Sequence, residues 1–227
     1  MRFAGAVAAV DRHEPRRDAG DGWTRDLSLW LPYAGAEAVA DDETWEMLEF
    51  LTGDRWALDG RASTTATLES PSHQVDAVCL LSGGLDSLIG AIDLLAGDPD
   101  RRVLFTGVKD ESTSSGRQQV LVDELRRRYP GRVEYVRANL PATKREDTTR
   151  ARSLLFIAFG LLCASTAGSD VPLYIPENGM IGLNVPLIGS RSGSASTRTT
   201  HPHFMAVLTA LLARLGISNR VVNPYRC

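Results

Sequence analysis

Two hydrophobic rhythms divide this chain. In "RDLSLWLPY" (25–33), Leu27, Leu29 and Leu31 recur at every second position, the period of a strand with one buried face. "DDETWEMLEFLTG" (41–53) predicts a short helix whose acidic start suits the N-terminal dipole and whose Gly53 suits a C-terminal stop. "DRWALDGRAS" (54–63) predicts a second short strand or a hairpin. "STTATLESPSHQ" (63–74) is polar, contains Pro71, and reads as a linker or late strand. The opening "MRFAGAVAAVDRHEP" is a short apolar run followed by charges and lacks the layout of a signal peptide. Residues 1–72 are therefore expected to form a small N-terminal α+β appendage.

From Asp76 the pattern becomes regular. "AVCLL" (77–81) is a continuous apolar run, as in a strand buried on both faces. Leu85, Leu88, Ile89, Ile92 and Leu95 then recur at helical spacing. "RVLFTGV" (102–108) reads as a strand, and "GRQQVLVDELRRRY" (116–129) as a helix with Val120, Leu121, Leu125 and Tyr129 toward the core. "RVEYVRA" (132–138) is a third strand, "RARSLLFIAFGLLCAST" (150–166) a long apolar helix, and "VPLYIP" (171–176) a fourth strand. "HPHFMAVLTALLARLG" (201–216) is a helix with Pro202 in its first turn and Gly216 as its stop; "SNRVVNP" begins a fifth strand. Strands alternating with helical crossovers predict an α/β fold, a doubly wound parallel sheet over 73–227. In such sheets ligands bind beyond the C-terminal strand ends. The Gly/Ser-rich 189–197 is too long for an ordinary connection and is a candidate lid.

Composition narrows the partners. The 227 residues are 43% hydrophobic and 23% charged, with a formal net charge of −3, which gives no global pull toward nucleic acid or an anionic membrane. Residues 1–60 hold 6 basic against 13 acidic residues, net −7; the remainder holds 19 against 15, net +4. The mildly basic region suits a small polyanion. Cys79 and Cys163 lie in apolar segments and read as core residues; with Cys227 they form no CxxC pair. "SLLFIAFGLLCASTAG" is too short and too rich in small residues for a good membrane span. A reduced, cytoplasmic protein is expected.

The segment between the first α/β strand and its helix is Ser82-Gly83-Gly84-Leu85-Asp86-Ser87. Two glycines let backbone N–H groups approach a ligand closely, and the helix start adds unsatisfied N–H groups and a positive dipole end. Ser82 and Ser87 add hydroxyls, so the segment reads as a phosphate cradle. It lacks the lysine of a Walker loop and the spacing of GxGxxG. Asp86 either caps the helix or holds a divalent metal that neutralises the phosphates. The plainer alternative is a strand–helix turn with Asp86 as its N-cap.

This loop resembles the pyrophosphate loop of the N-type ATP pyrophosphatases, the PP-loop family that includes GMP synthetase, asparagine synthetase, NAD synthetase, tRNA thiolases and the 7-cyano-7-deazaguanine synthases. "SSGRQQVLVDEL" resembles the Gln-bearing helix start of the 7-cyano-7-deazaguanine synthase (QueC) group, and "TTRARSLLFIAFGLLCA" places Arg150 and Arg152 where the family sets an arginine against ATP phosphates. "IPENGMIGLNVPLIGSRSGSASTRTTHPHF" is similar to the strand-four loop of a QueC-like branch found in anti-phage operons of the Qat type, and the small N-terminal appendage fits that branch. The resemblance implies an adenine nucleotide alpha hydrolase-like (HUP-type) sheet, ATP and Mg²⁺. The implied chemistry is that of a carbon–nitrogen ligase, splitting ATP to AMP and pyrophosphate to adenylylate a carboxylate-bearing 7-deazaguanine-type substrate and yield an amide, nitrile or conjugate. Other defence-operon proteins are the implied partners. The standard synthase has a Tyr-Pro-Asp-Cys-Arg stretch and a four-cysteine zinc site; here Pro-Glu-Asn-Gly stands in the comparable place and the cysteines are missing, so zinc is not supported by this chain. The chain ends at "NPYRC" as the fifth strand ends, and is read as incomplete at its C-terminus.

On this reading Asp86 is the metal-side carboxylate, while Arg152, helped by Arg191 or Arg198, stabilises charge on the phosphates. Ser82, Gly83, Gly84, Leu85, Asp86, Ser87, Lys109 and Arg152 hold ATP; Glu177 and Asn178 bind a purine-like edge and Arg191 closes over the ligand. The bland counterparts are a turn before Gly179, solvated loop arginines, and for Arg152 a surface ion pair with Glu146 or Asp147. Asp110 and Lys144 are further loop candidates. His201 and His203 stand two apart at a helix start, do not face each other, and read as structural. A non-catalytic ATP-sensing subunit of a defence complex is the rival from another class, with the acidic 1–60 as its docking feature. A tRNA thiolase would want a catalytic cysteine near the site and a basic surface, and neither is evident.

Overall fold

The computed structural model describes residues 1–32, 35–60, 73–109, 114–139, 145–146, 148, 150–179 and 198–226. They belong to two compact units: Met1–Glu69, Ala142–Leu155 and Met180–Ile217 in the first, Ser70–Pro141, Phe156–Gly179 and Ser218–Cys227 in the second. The first unit thus draws in 142–155 and 180–217, segments that the sequence reading gave to the nucleotide-binding domain. Arg191, Asp110 and Lys144 lie outside the described residues.

In the first unit, β1 (Asp26–Leu31) and β2 (Arg55–Gly60) pair in parallel with Leu27 opposite Trp56 and Leu29 opposite Leu58. A parallel pair needs a crossover, and α2 (Asp42–Thr52) supplies it, so the second strand is not half of a hairpin. Asp41 caps α2 by accepting from the Thr44 N–H at 2.8 Å, and Gly53 ends it at φ 74°. The N-terminal apolar run folds as a helix, α1 (Arg2–His13), burying Phe3, Ala4, Val7 and Ala8. Its C-terminal half also carries Asp11 inward. The final helix, α6 (Pro202–Arg214), packs against α2, and Arg214 pairs with Asp41 at 2.7 Å and with Glu43.

Four charges are buried together in this unit. Asp54 accepts two bonds of 2.7 Å from Arg16 and others from Arg25, one of them 2.6 Å. Arg25 also donates to Asp11 at 2.5 Å, and Asp11 accepts from the Ala151 N–H and the Thr148 hydroxyl, each at 3.2 Å. Bidentate geometry and complete partnering are what make buried ion pairs tolerable. Burial alone would raise the Asp54 pKa, but the hydrogen bonds from Arg25 and Arg16 outweigh it and hold the carboxyl below its ordinary value.

The second unit is built on a five-stranded, wholly parallel sheet in the order β5-β4-β3-β6-β7. Its strands are β3 (Ala77–Leu80), β4 (Val103–Lys109), β5 (Val133–Asn139), β6 (Leu173–Tyr174) and β7 (Val221–Val222). Helices α3 (Leu85–Ala96) and α4 (Ser114–Arg128) cover one face, where Cys79, Leu81, Val103 and Phe105 meet Ala91, Leu94, Leu95, Val122 and Leu125. Leu80 and Leu173 alternate to the opposite face and meet α5 (Arg152–Ala167) at Gly160, whose missing Cβ would lie 2.6 Å from Leu173 and 2.8 Å from Leu80. An all-parallel sheet with helices on both faces is compatible with a Rossmann-like doubly wound fold. No described helix is long and apolar enough to cross a membrane.

One core assignment changes, and one helix buries a face other than the one its apolar spacing marks. On α4, Val120 is 68% exposed while Val122 is fully buried, because the stripe runs Gln118, Val122, Leu125 with the amide of Gln118 also buried. On α3, Leu85, Ile89 and Ile92 are exposed and the small residues Gly90 and Ala91, with Leu94 and Leu95, make the core contact. Close approach explains the small residues: a Cβ at Gly90 would lie 2.3 Å from the Cβ of Pro176.

Two outcomes follow from this packing. Glycine to alanine inside a helix ordinarily stabilises by about 1 kcal/mol, but Gly90→Ala is expected to cost about 1–3 kcal/mol in urea unfolding because Pro176 cannot yield freely. Asp54→Asn is expected to destabilise the first unit by about 3–5 kcal/mol by leaving two buried guanidinium groups short of charge. Since the folded Asp54 pKa lies below its unfolded value of about 4, its contribution is complete above that pH and is lost as pH falls through the folded value. Urea midpoints measured from pH 7 to pH 3 should show this acid loss in wild type and a weaker one in Asp54→Asn.

Candidate functional site

The chain runs outward from β3 to β4 and β5, then returns to the other side of β3 for β6 and β7. In sheets of this topology the segments leaving the adjacent ends of β3 and β6 diverge, which makes the carboxyl edge between them the expected place for a ligand. After β3 comes Leu81-Ser82-Gly83-Gly84; after β6 comes Ile175-Pro176-Glu177-Asn178. Two of the stretches singled out from sequence thus flank the switch point of one sheet.

The first segment is shaped by its backbone. Leu81 makes the last β-type bond, its N–H donating to Thr106 O at 2.9 Å. Gly83 turns at φ 89°, a conformation that side chains with a Cβ rarely adopt. Gly84 is the N-cap of α3, with no side chain capping it, and its carbonyl accepts the first helical bond from Leu88 at 3.2 Å. The N–H groups of Leu85, Asp86 and Ser87 thus belong to an uncapped first turn, where the dipole also favours an anion.

The two serines do different work. Ser82 is exposed; its hydroxyl accepts from the Gly84 N–H at 3.4 Å and donates to Ser87 Oγ at 3.3 Å. Ser87 is buried and its only hydroxyl proton goes to Gly84 O at 2.8 Å, so Ser87 braces the loop from within and does not donate outward. Asp86 sits in the first turn of α3 and is not the cap; the capping position is Gly84. That leaves its carboxylate for dipole compensation or a cation. Among the described residues no group of three His, Cys, Asp or Glu side chains could hold a metal alone. A single carboxylate is instead suited to Mg²⁺ that takes its remaining ligands from phosphate oxygens and water.

The second segment is held from two sides. Pro176 packs on Gly90 of α3. Asn223, just beyond β7, accepts from the Glu177 N–H at 3.4 Å and from the Tyr225 N–H at 3.0 Å. Tyr225 donates its hydroxyl to Asp93 at 2.5 Å; burial, then that bond and the Asp93 charge, raise its pKa. Asn178 is exposed and Glu177 half-buried. Lys109, at the carboxyl end of β4, is exposed and in register with Asn139.

Arg152 and Arg198 fall in the first unit. Arg152 opens α5 and is half-buried. The Arg198 guanidinium donates to Phe50 O and lies 4.7 Å from the Phe50 ring centre, whose other neighbours are His201 and His203 at 4.9 and 4.8 Å. His201 caps α6 through its ring nitrogen, which accepts from the His203 N–H at 3.2 Å. Burial pushes the Cys163 thiol up to about 11 and the Cys79 thiol higher still, so neither is a thiolate at neutral pH.

The residues that sequence reasoning passed over are the supports Tyr135, Gly107, Gly90 and Asn223, and the Gln-bearing start of α4 was singled out without the buried role of Gln118. Gln118 had a signal, a polar residue at the i, i+4, i+7 positions otherwise filled by Val122 and Leu125. No protein-family model matches the chain, and no curated protein matches it by sequence. Ser87→Ala removes the internal bond to Gly84 and should lower unfolding free energy by about 1–2 kcal/mol while leaving the circular dichroism spectrum unchanged, as read by urea titration.

Proposed function

We propose that the β3–α3 loop binds the phosphates of ATP and that the protein activates a carboxylate by adenylylation, as an adenine nucleotide alpha hydrolase-type PP-loop enzyme. The observation that supports this best is an uncapped helix start, introduced by Gly83 at φ 89°, at the switch point of a parallel sheet. Its amide donors suit the leaving pyrophosphate, while the Ser82 and Ser87 hydroxyls hold the shape of the loop that presents them. Preorganised donors of this kind stabilise charge as it develops on the leaving group, without reorganising during the reaction.

In the proposed reaction a substrate carboxylate oxygen attacks the α-phosphorus, the bond to the β-phosphate oxygen breaks, and pyrophosphate leaves. An amine or ammonia then displaces AMP from the acyl carbon, forming an amide or conjugate. Asp86 is the residue that would hold Mg²⁺, which would supply neutralisation of the phosphate charge. Glu177 and Asn178 offer an acceptor and an amide at the neighbouring strand end, a pairing suited to a purine-like edge such as that of a 7-deazaguanine carboxylic acid. The resemblance of "IPENGMIGLNVPLIGS" to the anti-phage QueC-like branch suggests a role in defence, with a partner-protein amine as one acceptor.

Purified protein with Mg-ATP, 7-carboxy-7-deazaguanine and an ammonium salt as the acceptor should release AMP and pyrophosphate in equal amounts. Asp86→Ala should reduce that rate by a factor on the order of 10² or more, following the loss expected when one charge-stabilising group is removed. ATP binding without pyrophosphate release from this acid or a panel of other carboxylates would overturn the enzyme reading and leave a nucleotide-binding subunit.

A further inference from the structure

Beneath the loop lies a polar side chain with no exposure at all. Gln118 of α4 is fully buried, and a buried amide is tolerated only when its donors and acceptor find partners. Its Nε2 donates to the Ser82 carbonyl at 3.4 Å, and its Oε1 accepts from the Tyr135 hydroxyl of β5 at 3.2 Å. The amide can sit only this way round: a carbonyl cannot donate, so the NH₂ group must face Ser82 and Tyr135 must donate to the oxygen.

β4 leaves room for this pair. A Cβ on Gly107 would fall 2.8 Å from the Tyr135 oxygen and 3.0 Å from Gln118 Oε1. The bare backbone at Gly107 thus admits an amide and a phenol hydroxyl between sheet and helix, at a level where the neighbouring inward positions, Phe105 and Val103, are apolar.

We infer that Gln118 is a positioning residue for the β3–α3 loop, acting through the Ser82 carbonyl. The bond from Leu81 N–H to Thr106 O is where β3 last hydrogen-bonds to its neighbour; one residue on, Gln118 takes over as the partner. The peptide that follows is trans, like every described peptide bond. In a trans peptide the C=O and N–H point in opposite directions. Anchoring the Ser82 carbonyl on Gln118 therefore turns the Gly83 N–H away from α4 and fixes the plane from which Gly83 enters its left-handed turn. Tyr135 in turn fixes the amide, so a residue on β5 orients the loop that follows β3. Only the nucleotide arm of this inference rests on the ATP reading; the loop-ordering arm stands on the geometry.

Hydrogen exchange and calorimetry on wild type, Gln118→Met and Tyr135→Phe separate the possibilities. Amides 83–87 should exchange about tenfold faster in both variants, the amides of β3, β4 and α4 changing much less, in line with loss of one buried hydrogen bond. Mg-ATP affinity should fall about tenfold while adenosine affinity stays unchanged. Exchange at 83–87 that is unchanged, or accelerated only as much as the rest of the sheet, overturns the inference, and Tyr135→Phe decides it if Gln118→Met does not fold. If wild type binds no Mg-ATP, the ATP reading falls and the exchange data alone decide the role of Gln118.

Discussion

A left-handed residue three positions beyond the end of a strand buried between two neighbours leaves few ways to continue the chain. Gly83 takes up that conformation at φ 89°. The strand before it pairs with β4 on one side and β6 on the other, and the helix after it begins with donors that no side chain caps. Polar groups left unsatisfied at such a point cost free energy unless solvent or a ligand meets them. The loop accordingly spends its side chains on its own shape: Ser87 on Gly84, Ser82 on Ser87, Gln118 on Ser82. The backbone N–H groups of the first turn are what it keeps for a ligand.

The neighbouring segment shows the same economy of small residues. Gly90 admits Pro176 against α3, and Asn223 ties Glu177 to the exit of β7. Two loops that are far apart in sequence are thereby held by elements of one sheet and its helices. The first unit reaches rigidity by other means. Its four buried charges satisfy one another, and Asp11 extends that network to residues 148 and 151, which lead into α5. Replacing one member would leave the others with desolvated charge, which makes loss of a partner costly even where the intact network adds little net stability.

Much of the second unit was legible because its strands are continuous apolar runs and its helices follow at once. "AVCLL" and "VLFTGV" could not sit on a surface, and the β-α alternation permits few topologies. Errors came where apolar residues are not core residues. Leu85, Ile89 and Ile92 keep helical spacing yet face outward, because α3 approaches its neighbours through Gly90 and Ala91. Val120 lost its place to Val122 because the inward stripe of α4 carries Gln118, a residue that periodicity counts as surface. "DRWALDG" forms the short strand that was one of its two expected states, and α2, which supplies a parallel crossover, excludes the hairpin. α1 was read only as a short apolar run followed by charges, although Phe3, Ala4, Val7, Ala8 and Asp11 recur at helical spacing and form its buried face. In the loop, the glycines and serines announced a special turn, but the division of labour between Ser82 and Ser87 depends on burial, which no local spacing encodes.

The central claim is that the β3–α3 loop presents its first-turn amides to phosphate. Titrating isotopically labelled protein with inorganic pyrophosphate and Mg²⁺, and following backbone amide resonances, tests it without any assumption about the acid or the acceptor. The account predicts saturable shifts concentrated at Gly83, Gly84, Leu85, Asp86 and Ser87, with smaller ones at Glu177 and Asn178. Shifts absent from 83–87 while other amides respond, or no response at millimolar pyrophosphate, would contradict it.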